Sequence, residues 1–143
     1  MKTGWALILP LLAVSCRQPI PIDTSSAKLI PRDVAIDRLK EALATADLTA
    51  CSAPRITLER AEIKEWKVDD LGLEARAEGK EPIRVAFKDV TATRLDKVNL
   101  FYQVRVFTEA QPNPKKDFVH FHWAAEAPAR RALELLDALW RKP

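Results

Sequence analysis

Phe118-Val119-His120-Phe121-His122-Trp123 and, after Ala124-Ala125-Glu126-Ala127, the run Pro128-Ala129-Arg130-Arg131-Ala132-Leu133-Glu134-Leu135-Leu136-Asp137-Ala138-Leu139-Trp140 decide the fold class. In the first run Val119, Phe121 and Trp123 alternate with Phe118, His120 and His122, the period of two expected of a strand with one core face. In the second the period lengthens. Ala129, Ala132, Leu133, Leu136, Leu139 and Trp140 form one helical stripe, while Arg130, Glu134, Asp137 and Arg141 lie off it, with Asp137 four residues before Arg141. Pro128 suits the first helical residue, because its missing N–H has no intrahelical partner there. A one-sided strand followed by an amphipathic helix has to bury both apolar faces together, and Trp140 reads as a plug in that core.

Upstream of this pair the period of two recurs. Leu100, Tyr102, Val104 and Val106 alternate with Phe101, Gln103, Arg105 and Phe107. Leu71, Leu73, Ala75 and Ala77 alternate with Gly72, Glu74, Arg76 and Glu78, and Ile83, Val85 and Phe87 with Arg84, Ala86 and Lys88. One-sided polarity indicates antiparallel strands, since parallel strands buried on both faces read as continuous apolar runs. Residues 55–63 form a less regular strand whose pattern slips near Arg60, as a bulge would make it. Gly79-Lys80-Glu81-Pro82 and Gln111-Pro112-Asn113-Pro114 are turn-rich. The expectation is an α+β domain over residues 33–143: an antiparallel meander or partly open barrel of five to seven strands, a C-terminal capping helix and an extra N-terminal helix. That first helix is expected from Asp33, as its cap, to Ala46, with Ile36, Leu39, Leu43 and Ala46 on its inner stripe. Residues 49–54, ending at Pro54, read as a loop, with Cys51 as its small apolar filler.

Composition removes several function classes. The chain has 143 residues, with 23 Lys and Arg against 20 Asp and Glu, and the signs are interleaved rather than blocked. Such a balance leaves no electrostatic footprint for nucleic acid. Three Gly, at positions 4, 72 and 79, cannot make a phosphate-cradling loop. Two Cys, at 16 and 51, exclude a four-Cys zinc site and a disulfide framework. No cofactor is implied.

Met1-Lys2-Thr3-Gly4-Trp5-Ala6-Leu7-Ile8-Leu9-Pro10-Leu11-Leu12-Ala13-Val14-Ser15-Cys16 carries one early Lys, an apolar run and small residues before a Cys. It reads as a secretory signal over residues 1–15, too short to span a bilayer. It resembles the type II signal of bacterial lipoproteins, although Ala13 stands where Leu is usual. The resemblance implies that Cys16 is acylated, becomes the mature N-terminus and anchors the chain to a membrane of the bacterial cell envelope, outside the cytoplasm. Ala13-Val14-Ser15 also fits ordinary signal cleavage, which leaves open a secreted chain with Cys16 paired to Cys51. Residues 16–32 hold three Pro and no apolar period, so they read as the lipidated Cys and a flexible tether.

A meander closed by one C-terminal helix resembles the pleckstrin-homology-like superfold, including bacterial PH-like and GRAM-like domains. The resemblance lies in residues 55–142: Ile83-Arg84-Val85-Ala86-Phe87-Lys88-Asp89-Val90 looks like that group's strand-then-bulge segment, and residues 118–140 look like its closing strand and helix. Lipid-binding members gather cations between their first two strands. Here Lys64-Glu65-Trp66-Lys67-Val68-Asp69-Asp70 sets two cations against three carboxylates, which argues against a phosphorylated headgroup.

Two constellations carry possible chemistry. His120 and His122 share a strand face, with rings expected about 6 to 7 Å apart, and are candidate metal ligands if a third comes from a neighbouring strand or Asp117. Phe101, Arg105 and Phe107 fall on the same face if the last strands pair regularly. Aromatics on a nominal solvent side need cover, and the expectation is that the N-terminal helix supplies it. Uncovered, Phe101, Arg105, Phe107, His120 and His122 would be a patch that meets another protein. The functional expectation is a membrane-tethered, non-enzymatic protein-binding or assembly module. A small-ligand or lipid carrier, and a metal-dependent enzyme using His120 and His122, are the alternatives.

Overall fold

Arg60-Ala61-Glu62 divides the chain between two sheets. In the computed structural model, which describes residues 17–52, 54–108 and 118–141, these three residues form a 3-10 turn. The Glu62 carboxylate accepts the Glu59 backbone N–H at 2.8 Å and the Glu59 side chain caps in return, so the strand before the turn ends and a new one starts elsewhere. The pattern slip at Arg60 is therefore a change of sheet rather than a bulge.

The described elements run β1 (Arg17–Pro19), α1 (Arg32–Ala44), β2 (Leu48–Cys51), β3 (Ile56–Glu59), β4 (Ile63–Val68), β5 (Gly72–Ala77), β6 (Ile83–Ala86), β7 (Val90–Val98), β8 (Phe101–Thr108), β9 (Phe118–Trp123) and α2 (Glu126–Trp140). One sheet has six strands in the order β1-β7-β8-β9-β2-β3 and the other has β4-β5-β6. Every pairing is antiparallel. The protein is thus α+β with a helix near each end, as expected. It is built from two open sheets with nine strands among the described residues, not one meander of five to seven.

Both helices and both sheets bury into one cluster. Val104, Val106, Phe121 and Trp123 of the larger sheet meet Leu133, Leu136 and Leu139 of α2, Leu39 and Leu43 of α1, and Trp66, Ile83 and Val85 of the smaller sheet. Trp66 and Phe121 join the sheets with ring centroids 6.1 Å apart. Each fully buried Leu contributes about 2 kcal/mol through apolar area alone. Polar ties fix the helix ends. Arg32 donates to the Leu139 carbonyl at 3.2 Å, capping the end of α2, and to the Asp70 carboxylate at 2.6 Å. Trp123 Nε1 donates to Thr45 Oγ1, just past α1.

Several expectations shift. Pro31, not Asp33, caps α1, and Asp33 sits in the first turn, where it still opposes the helix dipole. Pro128 is the third residue of α2, still within the turn whose N–H groups lack partners. Trp140 is only partly buried, with Nε1 donating to Asp137. The loop expected at 49–54 begins inside β2, which sits between β9 and β3. Leu71 and Leu100, which the alternation predicts as inward strand residues, are turn residues 79% and 91% exposed. Gly72 is a steric requirement, because a Cβ there would lie 2.0 Å from the Val85 carbonyl oxygen.

The stretch expected as a tether is laid along the domain. Arg17–Pro19 pairs with β7, Ile20 N–H donates to the Leu95 carbonyl at 2.9 Å, Ile20 and Ile22 pack on the core, and Ala27 is buried. Ile at 20 and 22 flanking Pro21 needs only two apolar contacts and one free sheet edge, a signal too short to register as a period. Residues 1–16, the 111–114 turn and Asp117 lie outside the described residues.

Candidate functional site

The pairing of the last strands sets which side chains share the outer face of the six-stranded sheet. Gln103 lies opposite His122 and Arg105 opposite His120, while Asp96 of β7 lies opposite Gln103 and Pro19 of β1 opposite Asp96. The side chains of Arg17, Asp96, Phe101, Gln103, Arg105, Phe107, Phe118, His120 and His122 therefore stand on one side, with the core on the other. All five residues of the expected patch are brought together.

Aromatic contacts tile the two ends of the face. Phe101 stacks on His122 at 4.4 Å with planes 14° apart, and Phe107 lies 5.4 Å from Phe118. The Arg105 guanidinium sits 5.3 Å from the Phe107 ring centroid, in cation–π range.

Between them runs a polar chain. Asp96 is buried, and its Oδ2 accepts from Arg105 at 2.8 Å and from Arg17 at 3.1 Å. Arg17 also donates to Gln103 Oε1 at 2.6 Å, and the Gln103 amide nitrogen lies 3.1 Å from His120 Nδ1 and 3.0 Å from His122 Nε2. Those two ring nitrogens are 2.7 Å apart, so one ring donates to the other. Burial holds both imidazoles neutral, pushing each pKa down to about 4; the neighbouring Arg17 charge adds to this at both rings, and His122 and Arg105 at His120. Burial and Arg17 also lower the Arg105 pKa, while Asp96 opposes them.

Set against family models, curated proteins and solved structures, the chain has no match in any of the three. The functional reading rests on this geometry.

Neither helix covers the face. Ala35, Leu39 and Leu43 of α1 belong to the same core cluster as Val104 and Phe121, which point away from Phe101 and Phe107, and α1 packs on α2 and β4. The expectation that the N-terminal helix shields the aromatics is thereby overturned. Its inner stripe is already satisfied by the core, and the aromatics are half-buried through their own contacts with His122, Phe118 and Arg105. Beside the rings, an open depression of about 760 Å³ is lined by Ala50, Arg55, Thr57, Phe118, His120 and His122.

The two His lean together, with ring centroids 4.8 Å apart rather than the expected 6 to 7 Å. Their nitrogen separation is that of a hydrogen bond. Two zinc-bound imidazole nitrogens stand about 3.3 Å apart in tetrahedral geometry. Among the described residues no three His, Cys, Asp or Glu side chains converge as metal ligands. Cys51 lies at the end of β2 with Sγ 2.8 Å from the Pro54 carbonyl oxygen. Cys16 lies outside the described residues.

Sequence reasoning missed Asp96 and Arg17. Asp96 sits in a strand whose charges, Arg94, Asp96 and Lys97, fall on both faces, which hides the period of two. The available signals were the Val and Thr content of residues 90–98 and Asn99 after them, which takes φ 53° in a two-residue hairpin loop.

Proposed function

We propose that this chain is a lipid-anchored envelope protein whose domain, a variant of the PH-like plan, binds another protein through the outer face of its six-stranded sheet and catalyses no reaction. The observation that carries the reading is that face itself. Phe101, Phe107, Phe118, His120, His122 and Arg105 are gathered on a side from which both amphipathic helices turn away. Aromatic and Arg side chains dominate the binding energy of protein interfaces, and here they are pre-ordered by stacking and by the Asp96 network, so little entropy is lost on docking. The excess of cations, Arg17 and Arg105 against Asp96, suits a partner surface with carboxylates. The PH-like element of the proposal is supported by the β7-β8-β9 meander running into α2, while the β2-β3 hairpin beside β9 is a departure from it. The carrier reading calls for an apolar cavity under α2; the groove there, about 500 Å³, mixes Ile20, Ile22, Leu95 and Leu133 with Lys28, Arg94, Asp137 and Arg141 and does not favour that reading over a protein-binding face.

The test is quantitative co-purification from the native envelope with Phe101→Ala/Phe107→Ala beside the unaltered chain and Leu71→Ala, which lies on the other sheet's β4–β5 turn. A partner retained by the unaltered chain and by Leu71→Ala, and reduced at least tenfold by the double substitution, supports the reading. Equal capture by all three contradicts it.

A further inference from the structure

The chain enters the fold at one corner of the larger sheet. Arg17 lies opposite Val98, Gln18 opposite Lys97 and Pro19 opposite Asp96, so β1 begins beside the tip of the β7–β8 hairpin. Val98 lies opposite Phe101, which leaves Asn99 and Leu100 as the two-residue loop. Leu100 is 91% exposed, more than any other large apolar side chain among the described residues. Arg17 is held in place by Asp96 and Gln103, at 3.1 and 2.6 Å. Cys16 immediately precedes Arg17 in the sequence, with no intervening linker residue. No slack therefore separates the proposed acylation site from the sheet.

The charges at this corner have one sign outward. Lys97 is exposed, the Arg17 side chain is 41% exposed, and Asp96, the nearby carboxylate, is fully buried between Arg17 and Arg105. Asp47 and Glu59 stand at the same end of the sheet but beside β2 and on β3, two and three strands from β8, or about 10 to 14 Å away. Asp47 also faces Arg60 at 3.7 Å.

We propose that the Asn99-Leu100 tip, with Lys97 beside it, is a membrane seat for the acylated chain: Leu100 enters the lipid interface and Lys97 meets anionic headgroups. The proposal rests on the lipid-anchor reading above. A bilayer is the occupant because the proposed acylation site, Cys16, immediately precedes Arg17 in the sequence, and because an exposed Leu beside an exposed Lys is what an anionic interface accommodates. The domain is then seated rather than swung on a leash. Its strands rise from the membrane, and the aromatic face stands upright beside the bilayer, open to a partner in the same compartment.

The mature protein is purified from its host membrane with an environment-sensitive fluorescent amino acid replacing Leu100 or, in a second protein, Leu71. Both sites are exposed turn positions, so neither replacement disturbs the core. The proteins are placed in phosphatidylglycerol–phosphatidylethanolamine vesicles that carry a lipid-borne quencher, and intact mass reads the state of Cys16 in the same samples. The expected result is acylated Cys16, with emission at position 100 blue-shifted and quenched at least threefold more than at position 71. Acylated Cys16 with equal, water-like emission at both positions overturns the seat and leaves the anchor standing. Unmodified Cys16 overturns the anchor and the seat together.

Discussion

Replacing Asp96 by Ala removes the acceptor on which two guanidinium groups converge. The carboxylate is fully buried and lies 2.8 Å from Arg105 and 3.1 Å from Arg17, whose side chains are 15% and 41% exposed. Breaking a buried ion pair costs about 3 to 5 kcal/mol because a charge is left without compensation. Arg105 is close to that limit, whereas Arg17 can turn to water, so the expected loss for Asp96→Ala is about 3 kcal/mol. At about 3 to 4 °C per kcal/mol for a chain of this length, that is a fall of about 10 °C in Tm. Arg17→Ala should cost only about 1 kcal/mol, discounted for its exposure. Urea unfolding of residues 17–143, followed by the fluorescence of Trp66, Trp123 and Trp140, measures both. In a double-mutant cycle Arg17→Ala should add less than 0.5 kcal/mol on top of Asp96→Ala, since they share one interaction. A loss below about 1 kcal/mol for Asp96→Ala, or full additivity, would refute the docking of β1 and the network built on it.

A chain beginning at Arg32 loses β1 and the packing of Ile20, Ile22 and Ala27, and should unfold at least about 3 kcal/mol more easily than residues 17–143; coincident urea midpoints would restore the flexible tether. Leu136→Ala, at the centre of the α2 stripe, should cost about 2 to 5 kcal/mol, and Glu134→Ala no more than about 0.5 kcal/mol by the same assay. Both His rings are held neutral when folded, with pKa pushed down to about 4 from 6.5. Their stabilising contribution is complete above pH 6.5 and is lost as pH falls from 6.5 towards 4, by about 1 kcal/mol per ring after allowing for their partial exposure. Urea midpoints of His120→Gln/His122→Gln should accordingly depend less on pH across that window than those of the unaltered chain.

Strands and helices with a repeated apolar period were legible: β5, β6, β8, β9, α1 and α2 each show one face to the core, and hydrophobic burial is what writes that pattern. The shared face of Phe101, Arg105, Phe107, His120 and His122 followed from period two plus regular pairing of β8 with β9. Other features were not legible. Leu48–Cys51 is too short to show a period, and its place between β9 and β3 depends on pairing with residues about 70 positions away. β7 carries charges on both faces because Asp96 is neutralised by Arg17 and Arg105, partners that sequence spacing does not reveal. The Arg60–Glu62 turn has the appearance of a strand irregularity until the reciprocal Glu59–Glu62 cap shows that the chain changes sheet there. Leu71 and Leu100 extended apolar alternation by one residue into turns, where the hairpin geometry, not hydrophobicity, fixes their position.

Site-specific photo-crosslinking in intact native envelopes tests the binding face most directly. Benzoylphenylalanine at position 107 keeps the ring next to Phe118 and Arg105, while the same residue at exposed position 64 on β4 reports the opposite sheet. The expected result is one discrete adduct from position 107, abolished by Phe101→Ala and absent from position 64. No adduct from position 107, or the same adducts from both positions, would contradict a binding module that works through the outer face of the six-stranded sheet.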